Sequence, residues 1–373
     1  MKKTRIFAAY LPQFHETEDN NKFWGKGFTD WDGVRNAVPQ YKGHKQPRIP
    51  YANSYYDLSD HNIIKKQAEM ALSYGIDGFN IYHYWFKDGK QELQLPAELL
   101  LKHSEINIEY FFTWDNNSWR RSWSNIKGND WAPTKDNEHQ NGKAILCELD
   151  YGDRSEWEKH FQYLLPFFKD KRYLRIDNKP VFAFMTYQNA KIMKEMIQYW
   201  KKRAMESELP GLFILTNYDN MKGRFKEDNY FVYQPSYSAW SVRSRWENRF
   251  ERYLKIKPRL DSPVKYLYDY NQVWEKILAF SKKKPDIIQG AFVRYDDTPR
   301  RGSKALIIRC ENVDIFYDGL RKLYNNCISN DQDILLLTAW NEWGEGAYLE
   351  PDTDTMFKYL DAVKRIKEES NSI

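Results

Sequence analysis

Cysteine is scarce in this sequence of 373 residues. The three cysteines, Cys147, Cys310 and Cys327, are odd in number and show no CxxC spacing. This pattern argues against a disulfide framework and against a zinc site, and it fits a reducing compartment.

Long apolar runs are absent as well. No stretch approaches the roughly 20 apolar residues that a helix needs to cross a bilayer. The apolar run from Ile6 to Leu11 is cut short by Pro12, too early for the apolar region of a signal peptide. We therefore expect a cytoplasmic protein without a transmembrane segment.

The charge balance is only mildly basic, and motifs for cofactors are lacking. The formal net charge is +5 and the pI is about 8.7, which does not indicate a nucleic-acid partner. The seven histidines form no HExxH pattern, and there is no P-loop or G-x-G-x-x-G motif. Asp352-Thr353-Asp354 resembles the D-x-D metal pair of nucleotide-sugar transferases, but this tripeptide is common. We expect no metal and no cofactor.

Aromatic residues, by contrast, are abundant. The chain has 14 Trp, 27 Tyr and 21 Phe, which together make 17% of the sequence. This is more than a core of this size requires, so some of the rings should lie at a surface or in a cleft. Flat apolar ring faces are suited to holding sugar rings.

Short apolar, β-branched or aromatic runs alternate with segments of helical period. Such alternation, with strand runs apolar on both faces, predicts an α/β fold, a single (β/α)8 TIM barrel with long βα loops over residues 1–373. The polar stretch Asn116–Asp153 is predicted to be one of these loops. The predicted strands are Arg5–Leu11, Gly78–His83, Ile108–Trp114, Val181–Met185, Leu212–Asn217, Tyr230–Gln234, Gly290–Arg294 and Ile334–Ala339. The predicted helices are Asn62–Tyr74, Pro96–Glu105, Glu156–Lys169, Ala190–Met205, Gln272–Lys282, Val313–Tyr324 and Thr355–Glu368.

Polar and aromatic side chains follow nearly every predicted strand. In TIM barrels the chemistry gathers at these carboxyl ends, so the pattern predicts a carbohydrate cleft. The candidate substrate-binding residues are Tyr10, Gln13, His15, Trp24, His83, Tyr84, Trp85, Trp114, Asp115, Asn116, Tyr237, Tyr295, Asp297, Trp340, Asn341 and Trp343. Several have a structural alternative: His83 as a hydrogen-bonded core histidine, Asp297 as a cap of the turn at Thr298, and Trp24 as a plug in a loop core.

Two carboxylates stand after the last predicted strand, within Ala339-Trp340-Asn341-Glu342-Trp343-Gly344-Glu345-Gly346. Glu342 and Glu345 would point to opposite faces of a strand, so they converge only if the backbone turns after Asn341. Gly344 and Gly346 permit such a turn. A pair of acids beside aromatic planes is typical of glycosidic chemistry, although the two glutamates could instead cap a helical turn.

The segment Arg243–Arg259 carries seven arginines and lysines. The simpler interpretation is a solvated helix face. The alternative is contact with an anionic glycan or a lipid-linked substrate at a membrane surface.

Several segments together resemble the glycoside hydrolase family 99-like proteins, which include a bacterial branch encoded with surface-polysaccharide genes and often labelled as glycosyltransferases. They occur in the family order along nearly the whole chain. The matching segments are Ala9–His15, Phe23–Trp31, Gly78–Phe86, Asp297–Gly302 and Ala339–Pro351.

The resemblance implies a TIM barrel and a retaining route like that of the family's endo-acting α-mannosidases. Glu342 would take the proton of the substrate's 2-hydroxyl, whose oxygen attacks C1 to give a 1,2-anhydro sugar. Glu345 would protonate the leaving oxygen and then activate water or another acceptor. Desolvation by Trp340 and Trp343 is expected to raise the pKa of this acid.

The sequence departs from the family pattern in one block. Where relatives tend to show a glutamate in W-A-N-E-N-W, this chain has Asn117 within Trp114–Trp119, and Asp115 could partly compensate. Three hypotheses follow for the function. The first is a retaining glycoside hydrolase or transglycosylase acting on an oligosaccharide or polysaccharide. The others are a glycosyltransferase of O-antigen or capsular polysaccharide biosynthesis and a non-catalytic glycan-binding barrel.

Overall fold

The structure is a computed structural model that describes residues 3–120, 145–187, 189–218, 225–242, 264 and 266–371. In this part of the chain, eight parallel strands form a nearly closed barrel. The strands are β1 (Arg5–Tyr10), β2 (Gly78–His83), β3 (Glu109–Trp114), β4 (Lys179–Phe184), β5 (Phe213–Asn217), β6 (Asn229–Phe231), β7 (Gly290–Phe292) and β8 (Ile334–Thr338).

The strand order around the barrel is β7-β8-β1-β2-β3-β4-β5-β6, and each neighbouring pair is parallel. A bridge between Phe231 and Ile288 joins β6 to the segment before β7. There the Val232 N–H donates to the Ile288 carbonyl at 3.1 Å, and the Ile288 N–H donates to the Tyr230 carbonyl at 2.9 Å. The predicted fold class and the positions of all eight predicted strands are confirmed.

Helices lie in most of the connections between the strands that the structure describes. The described α-helices are Glu18–Trp24, Asp30–Arg35, His61–Ser73, Leu95–Lys102, Arg154–Lys169, Ala190–Glu206, Ser236–Val242, Tyr270–Lys283, Thr298–Arg301, Val313–Ser329 and Lys358–Asn371. Short 3₁₀ turns lie at Tyr51–Asn53, Lys87–Gly89, Gly302–Lys304 and Trp343–Glu345. Each of the seven predicted helices corresponds to one of these α-helices. In the described part of the chain, no helix has the length and apolar character to cross a membrane.

The helix Val313–Ser329 shows how sequence sets these elements. Asn312 caps its start, because the side-chain oxygen accepts hydrogen bonds from the N–H groups of Asp314 and Ile315. Phe316, Leu320 and Leu323 recur at helical spacing and are fully buried. The helix therefore packs one apolar face onto the barrel.

The pleat of the strands sorts side chains into two layers. Phe7 and Phe111 meet inside the barrel, with ring centroids 5.5 Å apart. Trp114, on the opposite face of β3, packs outward against His160 of helix Arg154–Lys169, with centroids 4.7 Å apart. Since successive residues of a strand alternate between faces, a shift of one position decides whether a side chain enters the barrel.

Some connections differ from the predicted ones. The predicted loop Asn116–Asp153 contains an antiparallel pair, Trp119–Arg120 with Ile145–Cys147. Tyr266–Asp269 and Leu306–Arg309 form a small parallel pair that the sequence analysis did not predict. The basic segment Arg243–Arg259 lies outside the described residues, so both of its interpretations remain predictions.

Candidate active site

A cavity of about 350 Å³ opens at the carboxyl ends of the strands. Its described wall takes residues from beyond the end, or from the last positions, of every one of the eight strands. They are Leu11, Gln13, Tyr82, Tyr84, Asp115, Asn117, Met185, Thr186, Asn217, Tyr233, Ser236, Tyr295, Arg300, Arg301, Glu342 and Glu345. Hydroxyl, amide, carboxylate and guanidinium groups thus face one small space.

Glu342 and Glu345 both line this cavity because the chain turns after β8. Asn341–Glu342 pairs antiparallel with Ala347–Tyr348, and the 3₁₀ turn Trp343–Glu345 lies between them. Within the turn the Glu345 N–H donates to Glu342 Oε1 at 3.3 Å. Gly346 ends the turn at φ +57°, and a Cβ there would lie 2.8 Å from the Asp296 carbonyl. A glycine is therefore required at this position.

Arg300 contacts both carboxylates. Its Nη2 lies 3.0 Å from Glu342 Oε1, and its Nη1 lies 3.1 Å from Glu345 Oε1. The same Nη2 donates to Asp30 Oδ2 at 2.7 Å. One guanidinium thus joins Asp30, near the start of the sequence, to the two glutamates near its end.

Glu342 is the more deeply buried of the two acids. Its side chain is 5% exposed, whereas that of Glu345 is 20% exposed. Gln13 donates to both Glu342 oxygens, at 3.1 and 3.2 Å. Burial raises the pKa of Glu342 to about 8, although the Arg300 guanidinium and the Gln13 amide act in the opposite direction. This carboxyl therefore holds its proton to an unusually high pH.

Asp115 brings a further carboxyl group into the cavity. It follows β3, and its Oδ1 accepts a hydrogen bond from Asn117 Nδ2 at 2.6 Å. Burial raises the pKa of Asp115 to about 6, and the nearby charge of Glu345 acts in the same direction. Asn117, which stands where relatives tend to have a glutamate, therefore orients an aspartate two residues earlier.

Four tyrosines, Tyr82, Tyr84, Tyr233 and Tyr295, also line the cavity. Burial raises the pKa of each phenol well above neutrality, so all four carry their protons at physiological pH. Neutral phenols can both donate to and accept from sugar hydroxyls.

Three predicted binding residues lie in the aromatic core instead of the cavity wall. His83 is buried, and its Nε2 lies 2.7 Å from Nε2 of His160. Trp85 stacks on the His160 ring at 4.2 Å, and the Trp114 indole donates to the Trp85 carbonyl at 3.2 Å. Burial lowers the pKa of both histidines, so the pair is neutral, with one ring donating to the other. For His83 the structure matches the structural alternative.

Tyr10 and Trp343 belong to a hydrogen-bond network around another buried acid, Glu350. Glu350 accepts hydrogen bonds from Trp343 Nε1 at 2.7 Å, from the Tyr56 hydroxyl at 2.8 Å and from Gln67 Nε2 at 2.7 Å. The Tyr10 hydroxyl donates to the other end of Gln67 at 2.7 Å. Burial raises the pKa of Glu350 to about 7. This network fixes the indole of Trp343, which lies between the two candidate catalytic glutamates in the sequence.

Trp340 is fully buried and packs against Phe79 at 5.5 Å. We expected Trp340 and Trp343 to desolvate Glu345. Neither indole belongs to the described cavity wall, and of the two glutamates Glu342 is the more deeply buried.

The other predicted residues act as connectors or lie further away. Asn341 bonds to both backbone groups of Leu11 and so ties the start of the turn Trp343–Glu345 to the end of β1. Asn116 similarly ties the end of β3 to Thr186 after β4. Four predicted residues lie outside the described cavity wall: His15, Asp297, Trp24 and Tyr237. His15 is buried, and Asp297 pairs with Arg301 at 3.1 Å. Trp24 contacts Phe28, and Tyr237 packs on Phe280.

The sequence analysis therefore placed Gln13, Tyr84, Asp115, Tyr295 and the two glutamates in the cavity, and it missed others. Tyr82 could have been found, because it shares a strand face with Tyr84. Arg300 could have been found within the matching segment Asp297–Gly302. No local signal marks Tyr233.

Two described clusters outside the cavity bring potential metal ligands within 4.8 Å of one another. In the first, the rings of His61 and His103 stack in parallel at 3.7 Å, so their in-plane nitrogens cannot both point at one ion. In the second, Lys90 forms ion pairs with Asp19 and Glu92, and its ammonium occupies the place of a cation. Neither donor set is suited to a metal as it stands.

Comparisons with known structures agree with the barrel. The GH99 endo-α-mannosidase from Bacteroides thetaiotaomicron is 12% identical with a TM-score of 0.54, and the match covers 100% of this chain and 99% of that chain. A glycoside hydrolase-like protein is 12% identical with a TM-score of 0.59, and the match covers 98% and 94% of the two chains. At such identities the similarity shows the fold alone.

Sequence comparisons identify relatives of this chain and its family. The chain is 25% identical over 380 residues to WxcX of Xanthomonas campestris pv. campestris, in two strains, and the match covers 96% of this chain. It covers 49% of WxcX, so the chain spans about half the length of the curated relatives it matches. Residues 6–363 match the family model described as Glycosyltransferase WbsX. The chain therefore belongs to the WbsX family.

Proposed function

We propose that this protein is a carbohydrate-active enzyme that cleaves or transfers an α-linked, mannoside-like glycan with retention of configuration. The observation that carries the proposal is the position of Glu342 and Glu345, which line one cavity to which all eight strand ends contribute. Neutral tyrosines and amides surround them, as recognition of sugar hydroxyls requires. The substrate is an oligosaccharide or polysaccharide.

In the proposed first step, the ionised form of Glu342, which becomes the main form only above about pH 8, takes the proton of the substrate's 2-hydroxyl while O2 attacks C1. The bond from C1 to the leaving oxygen breaks, and Glu345 gives its proton to that oxygen. The products are a 1,2-anhydro sugar, a protonated Glu342 and an ionised Glu345. The 2-hydroxyl must lie trans to the leaving group, as it does in an α-mannoside.

In the proposed second step, water or a sugar hydroxyl attacks C1 and gives its proton to Glu345. The C1–O2 bond breaks, and Glu342 returns its proton to O2. Two inversions at C1 give net retention, and both acids regain their starting protonation. No side-chain nucleophile is needed.

The end of β4 supports a route without an enzyme nucleophile. Common barrel glycosidases carry a glutamate after both the fourth and the seventh strand, whereas β4 here is followed by Met185-Thr186-Tyr187. Thr186 lines the cavity without supplying an acid. Asp115 is the described carboxylate that could act as a nucleophile instead, so the test must separate the two routes.

The experiment uses α-mannosyl fluoride and its 2-O-methyl derivative, together with natural α-mannosides, and follows the anomeric configuration of the product by NMR. We expect retention with the parent fluoride and no turnover of the 2-O-methyl compound, because its O2 carries no proton for Glu342. Turnover of that compound, or an inverted product, would exclude the anhydro-sugar route.

Two matched variants test the roles of the acids. We expect E345Q to lose about 10²–10⁴-fold in kcat/KM on natural glycosides but far less in kcat/KM on the fluoride, because kcat/KM reports the first step and fluoride leaves without a proton. E342Q should lose activity on both. Unchanged activity in both variants would eliminate the proposed acid and base.

A glycosyltransferase of O-antigen or capsular polysaccharide assembly is the second candidate, and the description of the WbsX family as glycosyltransferases favours it. It predicts that a nucleotide-sugar or lipid-linked donor raises the melting temperature and is consumed. A non-catalytic glycan-binding barrel is the third hypothesis. It predicts that E342Q and E345Q leave glycan binding intact and that the wild type turns over no glycan.

A further inference from the structure

We infer that Arg300 is the positioning residue of the Glu342–Glu345 pair, holding one oxygen of each carboxylate and leaving the other for the substrate. The inference rests on the proposed function for its catalytic meaning. Its structural content, the coupling of one guanidinium to two acids, can be measured without any substrate.

The hydrogen bonds on the two carboxylates are unequal. Within the described part of the chain, Glu342 Oε1 accepts from Arg300, from Gln13 and from the Glu345 N–H, whereas Oε2 accepts from Gln13 alone. Glu345 contacts Arg300 through Oε1 as well. Oε2 of each acid is therefore the oxygen best placed to exchange a proton with a sugar.

The position of the guanidinium is enforced by the chain around it. Arg300 lies on helix Thr298–Arg301, whose first residue is held by hydrogen bonds to Asp296. Its guanidinium packs against Gly344 in the turn Trp343–Glu345, where a Cβ would lie 2.7 Å from Nε. Glycine at 344 thus leaves the space in which Arg300 reaches both glutamates.

The charges around Glu342 have opposing effects. Arg300 stabilises its ionised form, whereas Glu345 and Asp30 disfavour it, and the phenols of Tyr84 and Tyr233 lie nearby. Asp30 also binds the same Nη2 as Glu342. Asp30 therefore moderates how strongly Arg300 acts on the base.

The first test compares the pH dependence of kcat/KM in R300Q, R300K and D30N. We expect the acid limb that reports Glu342 to move upward by about one pH unit or more in R300Q and downward in D30N. R300K should keep the limb closer to wild type yet lose kcat, because an ammonium cannot hold two carboxylates as a planar fork does. If the acid limb of the kcat/KM profile lies at the same pH in R300Q, in D30N and in wild type, the inference is wrong.

G344A tests position without changing any charge. Its methyl group would lie 2.7 Å from Arg300 Nε and would push the guanidinium away from the two carboxylates. We expect this displacement to lower kcat by about 10–100-fold with a smaller effect on KM. R365Q is the control, because Arg365 pairs with Glu369 on an exposed helix face far from the cavity. Wild-type kcat in G344A would contradict the inference.

A measurement of stability separates this inference from the proposed function. In an R300Q background, the pH range over which E342Q gains stability relative to Glu342 should extend further upward than in the wild-type background. If no glycan is turned over, the proposed function fails while this measurement still decides the coupling. An identical range in both backgrounds would show that Arg300 does not act on Glu342.

Discussion

Replacing Glu342 by glutamine should stabilise the folded protein, although it removes a proposed catalytic group. The carboxyl has a pKa of about 8 in the fold against an ordinary value of 4.5, because burial disfavours its ionised form. An acid whose pKa is raised on folding favours the folded state below its unfolded pKa. That stability is lost as the pH rises from 4.5 towards 8. The neutral amide of E342Q mimics the protonated acid and escapes this loss.

The expected magnitude follows from the size of the shift. Each pH unit above 4.5 costs wild type about 1.4 kcal/mol until the folded pKa is reached, which amounts to about 3 kcal/mol at pH 7. At pH 5 the difference should fall below about 1 kcal/mol. Arg300 is already included in the raised pKa, and Gln13 can turn its carbonyl towards the new amide.

The assay is denaturant unfolding followed by tryptophan fluorescence at several pH values, with wild type, E342Q and E345Q in parallel. E345Q is the matched control, because the Glu345 side chain is 20% exposed and ends at the same arginine. We expect E342Q alone to gain stability progressively from pH 5 to pH 8. A stability difference that does not change with pH, or a variant less stable than wild type at pH 7, would refute the buried position of Glu342.

Three further predictions concern activity and the framework of the site. Because the proposed base, Glu342, acts only when ionised, kcat/KM of wild type should rise with pH towards about 8. A value of kcat/KM that does not change between about pH 5 and about pH 9 would contradict this. E350Q should lower the free energy of unfolding by roughly 1–3 kcal/mol at pH 5, where the raised pKa of Glu350 costs the wild type little and the new amide N–H₂ would face donors that now bind the carboxyl oxygens; unchanged unfolding at pH 5 would count against that network. G78A should also destabilise, by about 1–3 kcal/mol in the same assay, because its Cβ would lie 2.3 Å from the Phe7 ring and 2.7 Å from the Glu109 carbonyl. Wild-type stability in G78A would mean that β1 and β2 can separate to make room.

The strand pleat explains which predicted binding residues reach the cavity. Gln13, Tyr84 and Asp115 reach the cavity. The other three, Tyr10, His83 and Trp114, each stand an odd number of positions from the cavity residue of the same strand, and they point outward to the helices. The sequence analysis selected polar and aromatic residues near the strand ends without regard to the strand face on which they lie. Applying the two-residue period to those ends would have removed the outward ones and added Tyr82.

The turn after β8 shows the limit of local patterns. The spacing of Glu342 and Glu345, with glycines at 344 and 346, predicts that a turn must form for the two acids to meet. It does not predict that Asp30 and Arg300, which are 270 positions apart in the chain, join them. Such a contact depends on closure of the barrel, which brings the loops after β1, β7 and β8 side by side.

Sequence alone determined the parallel barrel, the eight strands and the two glutamates of the last turn, because periodicity and local motifs record what each segment buries. Tertiary structure decided which carboxyl group is desolvated, which tryptophans support the site from behind and which arginine serves both acids. The physical reason is that pKa shifts and ion pairs depend on distances across the barrel mouth, and residues far apart in sequence set those distances only once the sheet has closed.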